Sequence, residues 1–331
     1  MNIAASIQNI TEEIVFKIAK NIKKETEAQN LCIAGGVALN CVSNGMLLKE
    51  KIFKNIWIQP ASGDSGGALG AALSVHYIKN NSQRNTDSNK DRMKGTFLGP
   101  SFSDNEIEKT LLDFKAVYKK HDDEKIINET CKALIDGKAV GWMNGRMEFG
   151  PRSLGSRSIL ADPRSETMQK NLNLKVKYRE SFRPFAPSVL KEDVSDWFEI
   201  DNDSPYMLLV ADVKENKKLE MSEEQKKLFG IQKLNIKRSD IPAVTHVDYS
   251  ARIQTVNKTT NSKYYNLIKK FKEITGCSVI INTSFNVRGE PIVNTPEDAY
   301  NCFMGTELDN LVIGNCYLKK KEQKKDMVKN Y

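Results

Sequence analysis

The sequence predicts an α/β protein in two units, on three observations. Within the first eighty residues, short apolar runs alternate with segments of helical spacing and leave each run through a glycine turn. A stretch over 79–94, rich in Asn, Ser, Asp, Lys and Arg with Met93 its sole apolar side chain, then interrupts the pattern. Beyond it the alternation resumes.

In chain order, residues 7–29 carry Ile14, Val15, Ile18, Ala19 and Ile22 at helical spacing. Leu31 to Ala34 reads as a buried strand, Gly35-Gly36 as the turn out of it, and Val37 to Leu48 as a helix. Ile56-Trp57-Ile58 is a second strand, 60–64 a loop, and Ser65 to Tyr77 a helix of small residues. The first unit is thus 1–78, the linker 79–94, the second unit 95–318 and a basic tail 319–331. In the second unit Ser103-x-x-Glu106 has the form of a capping box, and Thr295-Pro296 sets a capping residue before a first-turn proline. Helices are expected at 124–136, 165–174, 262–275 and 296–304. Strands are expected at 139–143, 185–190, 206–213, 243–247, 252–256, 278–281 and 311–313, and 214–237 reads as a charged excursion.

The 331 residues are enough for two domains. No apolar run approaches the roughly 18 residues that cross a bilayer, and the N-terminus lacks a signal peptide, so the expected address is the cytoplasm. A net charge of +8 favours anionic ligands without choosing among them. The six cysteines show no Cys-x-x-Cys spacing, which favours buried reduced thiols over a zinc site or disulfide framework.

Chemistry concentrates in the run Gly145 to Ser158, where Arg146, Arg152 and Arg157 are interleaved with Gly145, Gly150 and Gly155, and in Lys177 to Phe185. Glycine admits close approach to a ligand, and the guanidinium fork matches phosphate and carboxylate oxygens in pairs. A nucleotide or an acyl phosphate fits such a loop. Lys177 and Arg179, two apart on a segment read as extended, would grip a triphosphate from one side. Asn282, Thr283, Ser284 and Asn286 close an apolar strand, where open α/β sheets place ligands; turn-capping is the bland alternative. Gly35-Gly36 and Gly63-Asp64 form two further strand-to-helix turns suited to anions, with Asp64 a hard oxygen donor for a metal or a helix cap. Of three histidines, His246 beside Arg252 is the one placed for ligand contact or proton donation.

The strings GRMEFGPRSLGSRSILADPR, VKYRESFRPFAPSVL, PAVTHVDYSARIQTV and INTSFNVRGEPIVNTPEDA resemble the C-terminal half of the NodU/CmcH-type O-carbamoyltransferase family, and IAGGVALNC and QPASGDSGGALGAAL resemble the end of its N-terminal domain. The resemblance implies a partial actin-like lobe followed by a YrdC-like twisted α/β domain. It implies formation of carbamoyl-adenylate from carbamoyl phosphate and ATP, with Mg²⁺, and transfer to a hydroxyl of a sugar or other small molecule. Carried over, Arg152, Lys177, Arg183 and Ser284 would be catalytic. Arg179, Asn282, Thr283, Asn286, Gly35, Gly36, His246 and Arg252 would bind the reactants, and Asp64 would be a metal ligand. The family's His-x-x-x-His pair does not occur here. The expectation is that an iron-type metal would need histidines from a partner chain, and that an apolar face awaits that chain or a second copy. Alternatives are a catalytically incomplete partner subunit and a YrdC-like tRNA-modification protein; no RNA-stacking motif supports nucleic acid, and no membrane is expected.

Overall fold

The computed structural model describes residues 2–87, 91–234 and 236–324. Part of the expected linker (88–90) and most of the basic tail (325–331) therefore lie outside the described residues.

The first unit follows the expected alternation. Helix α1 (Asn2–Thr26) leads into β1 (Asn30–Ile33), a 3-10 turn and α2 (Cys41–Lys49), then β2 (Asn55–Ile58) and α3 (Asp64–Ser74), which continues as a wider turn to Lys79. β1 and β2 are parallel, Asn30 opposite Asn55 through Ile33 opposite Ile58, with α2 as the crossover. The helix expected over 37–48 is split because Asn40 caps α2, its side chain accepting the Ser43 N–H. One face of α1 packs Val15, Phe16 and Ala19 on Leu47 and Phe53.

The second unit is built on α4 (Asp104–Asp113), β3 (Lys119–Lys120), α5 (Asp123–Ile135), β4 (Val140–Met143), β5 (Arg157–Ala161), α6 (Met168–Asn171) and β6 (Ala186–Leu190). It continues through α7 (Val194–Trp197), β7 (Leu209–Asp212), α8 (Glu223–Lys226), α9 (Ile231–Leu234), β8 (Ser250–Val256), α10 (Ser262–Thr275), β9 (Val279–Ser284), α11 (Pro296–Gly305), β10 (Asn310–Ile313) and β11 (Cys316–Lys319). The sheet order is β3-β11-β10-β4-β5-β9-β6-β8-β7. Only β10 with β4 and β6 with β8 run parallel among the named pairs. This mixed sheet, covered by α5, α10 and α11, makes the chain α/β. Both expected caps are present, the Ser103–Glu106 box on α4 and the Thr295–Asp298 box before Pro296.

Three expectations are corrected. Ala243–Val247 is not a strand: Pro242, which has no N–H for a ladder, opens a 3-10 turn to Val244, closed by Ser239 Oγ and Thr245 Oγ1 bonding the Ile241 backbone. The helix expected over 165–174 is one short turn followed by a wider turn, Leu172–Val176. The strand β5, hidden in the arginine-rich run, lies at the middle of the sheet. Four cysteines are buried as expected, but Cys32 is exposed and Cys41 partly so.

The two units touch in specific places. Asn44 Nδ2 of α2 donates to Leu208 O at 3.0 Å, and a Cβ on Gly45 would lie 2.3 Å from Val210 O in β7. The linker's end is pinned as well: Asp91 accepts the Tyr206 hydroxyl and the Met93 N–H, and Met93 is buried.

Candidate active site

Strand directions gather the loops singled out above. β5 begins where β9 ends, with Ser158 opposite Ser284, and β6 begins opposite Asn282. β8 runs parallel to β6. The run 144–156, the loop before β6, the turn before β8 and the residues after β9 therefore share one end of the sheet.

The run 144–156 is the loop of the β4–β5 hairpin, closed by Asn144 N–H to Ser156 O at 3.0 Å. Its shape is set by a buried carboxylate. Glu148 Oε1 accepts the N–H groups of Leu154 at 2.6 Å and Ser156 at 2.8 Å. Burial raises its pKa against those bonds. Arg157 is fully buried and donates to the carbonyls of Asn294, Gly145, Ser156 and Pro100, so it ties loops together. Gln254 Nε2 donates to Leu154 O at 2.8 Å, which draws the loop over β8. Neither Glu148 nor Gln254 stood out in the sequence; the alternation of glycine with charge was the only signal for the former.

Arg152, left over from this scaffolding, has a buried Nε without a hydrogen-bond partner. Arg252 is largely buried, makes no ion pair among the described residues, and is held below the usual arginine range first by burial and then by the charge of Arg152, with Arg179 adding to it. Burial and the charge of Arg183 similarly push Arg179 down to about 10, while its Nε donates to Asn173 Oδ1 at 2.6 Å and its guanidinium lies 5.0 Å over the Phe185 ring. Arginine remains charged under such pressure; burial is the main cause of each depression, neighbouring arginines add to it at Arg179 and Arg252, and Glu180 partly offsets it at Arg179.

Lys177 differs from expectation. It ends the wider turn at Val176, and Tyr178 follows with φ 46°, so Lys177 and Arg179 do not share an extended segment. Its ammonium is buried and donates to Ser284 O at 2.7 Å, Ser284 Oγ at 3.1 Å, Asn286 O at 2.8 Å and Asn286 Oδ1 at 2.6 Å. Burial, then Arg179, push its pKa down to about 7, against the pull of those four oxygens. Lys177 thus fastens the end of β9 beside the arginines.

The remaining expected residues are placed less centrally. Arg183 is half exposed and ion-paired with Glu180 at 2.9 Å. Asn282 is buried in the sheet, donating to Gln254 Oε1 at 2.8 Å, and Thr283 is paired opposite Ile159. His246 shares a bond with Ser250 Oγ at 2.9 Å through Nδ1, is lowered by burial, and lies in reach of Arg252. Gly35 N–H donates to Ser62 O at 3.1 Å, which brings Gly35-Gly36 beside the Gly63-Asp64 turn at the carboxyl ends of β1 and β2. Asp64 is exposed in the first turn of α3 and forms no side-chain cap. Among the described residues no group of three His, Cys, Asp or Glu side chains is arranged to hold a metal. No helix among them is long and apolar enough to cross a membrane.

Residues 131–320 match the carbamoyltransferase C-terminus family, and residues 1–73 match the carbamoyltransferase N-terminus family. The chain is 58% identical to an uncharacterized protein of Synechocystis over 98% of this chain and 53% of that one. It is 38% identical to nodulation protein NolNO of Sinorhizobium fredii over 97% of this chain and 44% of that one. It is 31% identical to the 3'-hydroxymethylcephem-O-carbamoyltransferase of Streptomyces clavuligerus over 96% and 54% respectively. The chain thus spans about half the length of these relatives. Full-length HypF, solved with phosphate and nucleotide, aligns with a TM-score of 0.35 at 18% identity over 62% of this chain and 22% of that one.

Proposed function

This chain belongs to the carbamoyltransferase family, and on that premise we propose that its arginine cluster activates a carbamoyl group for transfer to a hydroxyl-bearing small molecule. The observation that carries the proposal is the set Arg152, Arg179 and Arg252, gathered at one sheet end with no close ion pair to any of them among the described residues and with Glu180 the one carboxylate that bears on Arg179. Buried cations that repel one another are costly unless an anion joins them. Two phosphorylated reactants, carbamoyl phosphate and ATP, would supply that charge.

In the proposed reaction water releases phosphate from carbamoyl phosphate. The resulting carbamate oxygen attacks the α-phosphorus of ATP, the bond to the β-phosphate bridging oxygen breaks, and pyrophosphate leaves. The acceptor hydroxyl oxygen then attacks the carbamoyl carbon, AMP departs and the hydroxyl proton is lost. Arg152 and Arg252 would neutralise the reacting anions while Arg179 takes the pyrophosphate charge, an electrostatic contribution fixed before the reaction. Lys177 positions Ser284 and Asn286 for the phosphate oxygens, and Arg183, already paired, lies at the rim. Mg²⁺ would arrive on ATP. Asp64 alone does not make a resident metal site, so a metal at the acceptor step would draw its other ligands from outside the described residues, as from a partner chain, and no step is assigned to it.

The test is incubation of the chain with Mg-ATP and carbamoyl phosphate, followed by mass spectrometry for carbamoyl-adenylate and by pyrophosphate release. Absence of both products while the folded chain binds neither reactant would remove the proposal.

A further inference from the structure

One side of β8 carries a hydrogen-bonded trio beside the arginine cluster. Ser250, Arg252 and Gln254 alternate along the strand and therefore share one face. Gln254 on that face reaches Leu154 O, so the face is the one that meets the loop carrying Arg152. At its other end Ser250 Oγ bonds His246 Nδ1 at 2.9 Å and donates to Asp248 Oδ1 at 2.7 Å. The turn that brings the three together is closed by His246 N–H to Ser250 O at 2.8 Å and Tyr249 N–H to His246 O at 3.1 Å. Arg238 braces it, Nε donating to His246 O at 3.1 Å.

These bonds decide which imidazole nitrogen carries the proton. A hydroxyl has one proton to give, and a carboxylate can only accept. Burial raises the Asp248 pKa, but the Ser250 bonds and His246 together hold it below the usual carboxylate range. Ser250 spends its proton on Asp248 and must accept from His246. Nδ1 is therefore the protonated nitrogen, and Nε2 holds the lone pair. Nε2 has no hydrogen-bond partner among the described residues. Burial, opposed by Asp248 and assisted by Arg252 and Arg238, keeps the ring below the usual histidine range and hence neutral near neutral pH. Asp212, opposite Ser250 on the same face, is occupied by its ion pair with Lys49 at 3.4 Å. A neutral imidazole of fixed tautomer, on the strand face that carries an arginine of the cluster, is a base set beside an anion site.

We propose that His246 Nε2 is the general base for the water that opens carbamoyl phosphate, with Ser250 and Asp248 as positioning residues that hold the ring in its basic tautomer. Nε2 takes one proton as the water oxygen bonds the carbamoyl carbon. The bond from that carbon to the bridging oxygen breaks, its electron pair leaves with phosphate, and phosphate takes the second water proton. Carbamate remains for the attack on ATP, and the imidazolium returns its proton to solvent. This rests on the carbamoyltransferase reading and adds to it the base that the arginines cannot supply.

The intact chain is given Mg-ATP and carbamoyl phosphate, and phosphate release is followed while calorimetry measures carbamoyl phosphate binding. His246→Asn keeps an N–H for Ser250 and removes Nε2. It is expected to bind carbamoyl phosphate with the parent's affinity, to release phosphate about 10²–10⁴-fold more slowly, and to recover at least about tenfold with free imidazole. Ser250→Ala, which frees the ring to adopt either tautomer, is expected to lower kcat about tenfold or more with KM unchanged. Parent-like turnover in either variant overturns the base while the family reading stands. So does a loss in His246→Asn that imidazole leaves unrestored or that an equal loss of binding accounts for. A parent chain that releases no phosphate takes both down.

Discussion

The Lys177 ammonium donates to Asn286 Oδ1 at 2.6 Å, deep in the protein, whereas the buried Arg152 Nε at the same end of the sheet has no hydrogen-bond partner among the described residues. The two cations therefore answer differently to removal, although the sequence presents them as equivalents.

Lys177→Met should destabilise. Ser284 Oγ and Asn286 Oδ1 bond each other at 2.7 Å and can survive the loss, and Ser284 O keeps the Asn286 N–H at 3.1 Å, but the Asn286 carbonyl would lose the Lys177 donor. For one buried acceptor so abandoned, the expected cost is about 1–3 kcal/mol. Arg152→Ala should leave Tm unchanged or raise it, because it relieves repulsion with Arg252, yet lower carbamoyl phosphate-dependent ATP–pyrophosphate exchange by about 10²–10³. Thermal melts and exchange assays on the two variants check the contrast. Parent-like exchange in Arg152→Ala would take that residue out of the chemistry.

The pH dependence of stability should carry the mark of Lys177. Its folded pKa is depressed to about 7 from 10.5. Between those values the unfolded chain holds a proton that the folded chain has released. Stability contributed by this group therefore rises with pH across that window, by at most about 1.4 kcal/mol per pH unit. Urea titrations from pH 7 to pH 10, on the parent and on Lys177→Met, should show a positive slope that the substitution flattens. Equal slopes would mean that the four surrounding oxygens hold the ammonium charged throughout.

Gly45 and Gly36 offer a paired test of how the units join. A methyl group on Gly45 would meet the Val210 carbonyl oxygen at 2.3 Å, and that backbone, inside β7, has no room to retreat. Gly36 has nothing within 4 Å. Gly45→Ala should cost about 2 kcal/mol or more by strain at the contact and expose the 79–94 segment to protease, whereas Gly36→Ala should melt as the parent does. If Gly36→Ala nevertheless weakens ligand binding, the Gly35-Gly36 turn approaches a ligand directly.

Much of this architecture was legible because its signals are local. The Ser103–Glu106 box, the Thr295-Pro296 start and the 3.6-residue spacing of α10 each act within a few residues. β5 was not legible: Arg157 and Ser158 open it inside a run that looks like ligand chemistry, and both of its faces are buried, so no alternation shows. The motifs also named Arg152, Arg179 and Arg252 without showing that they meet. That depends on strand order, which sets β8 two strands from β9 and brings residues distant in sequence to one end. Nor did composition reveal that Arg157 serves carbonyls, that Arg183 is satisfied by Glu180, or that Lys177 turns inward onto Ser284 and Asn286.

The helix α1 carries the clearest unmet demand on the surface. Ile3, Ile7, Ile10, Ile14, Ile18 and Ile22 recur every three or four residues and are 36–78% exposed, on the face away from Phe53. Burying an isoleucine side chain fully is worth about 1.5–3 kcal/mol, and a row of six exceeds what a solvated helix face ordinarily shows. The 4-3-4 spacing from Ile3 to Ile14 is that of a helix–helix seam. In the isolated chain a second copy is the available cover, so sedimentation should show a concentration-dependent dimer. Ile7→Glu combined with Ile14→Glu, on a face that contributes nothing to the fold's own core, should abolish the dimer while leaving Tm within about 1 kcal/mol of unfolding free energy. A parent chain that remains monomeric at high concentration would show that this face does not pair with itself.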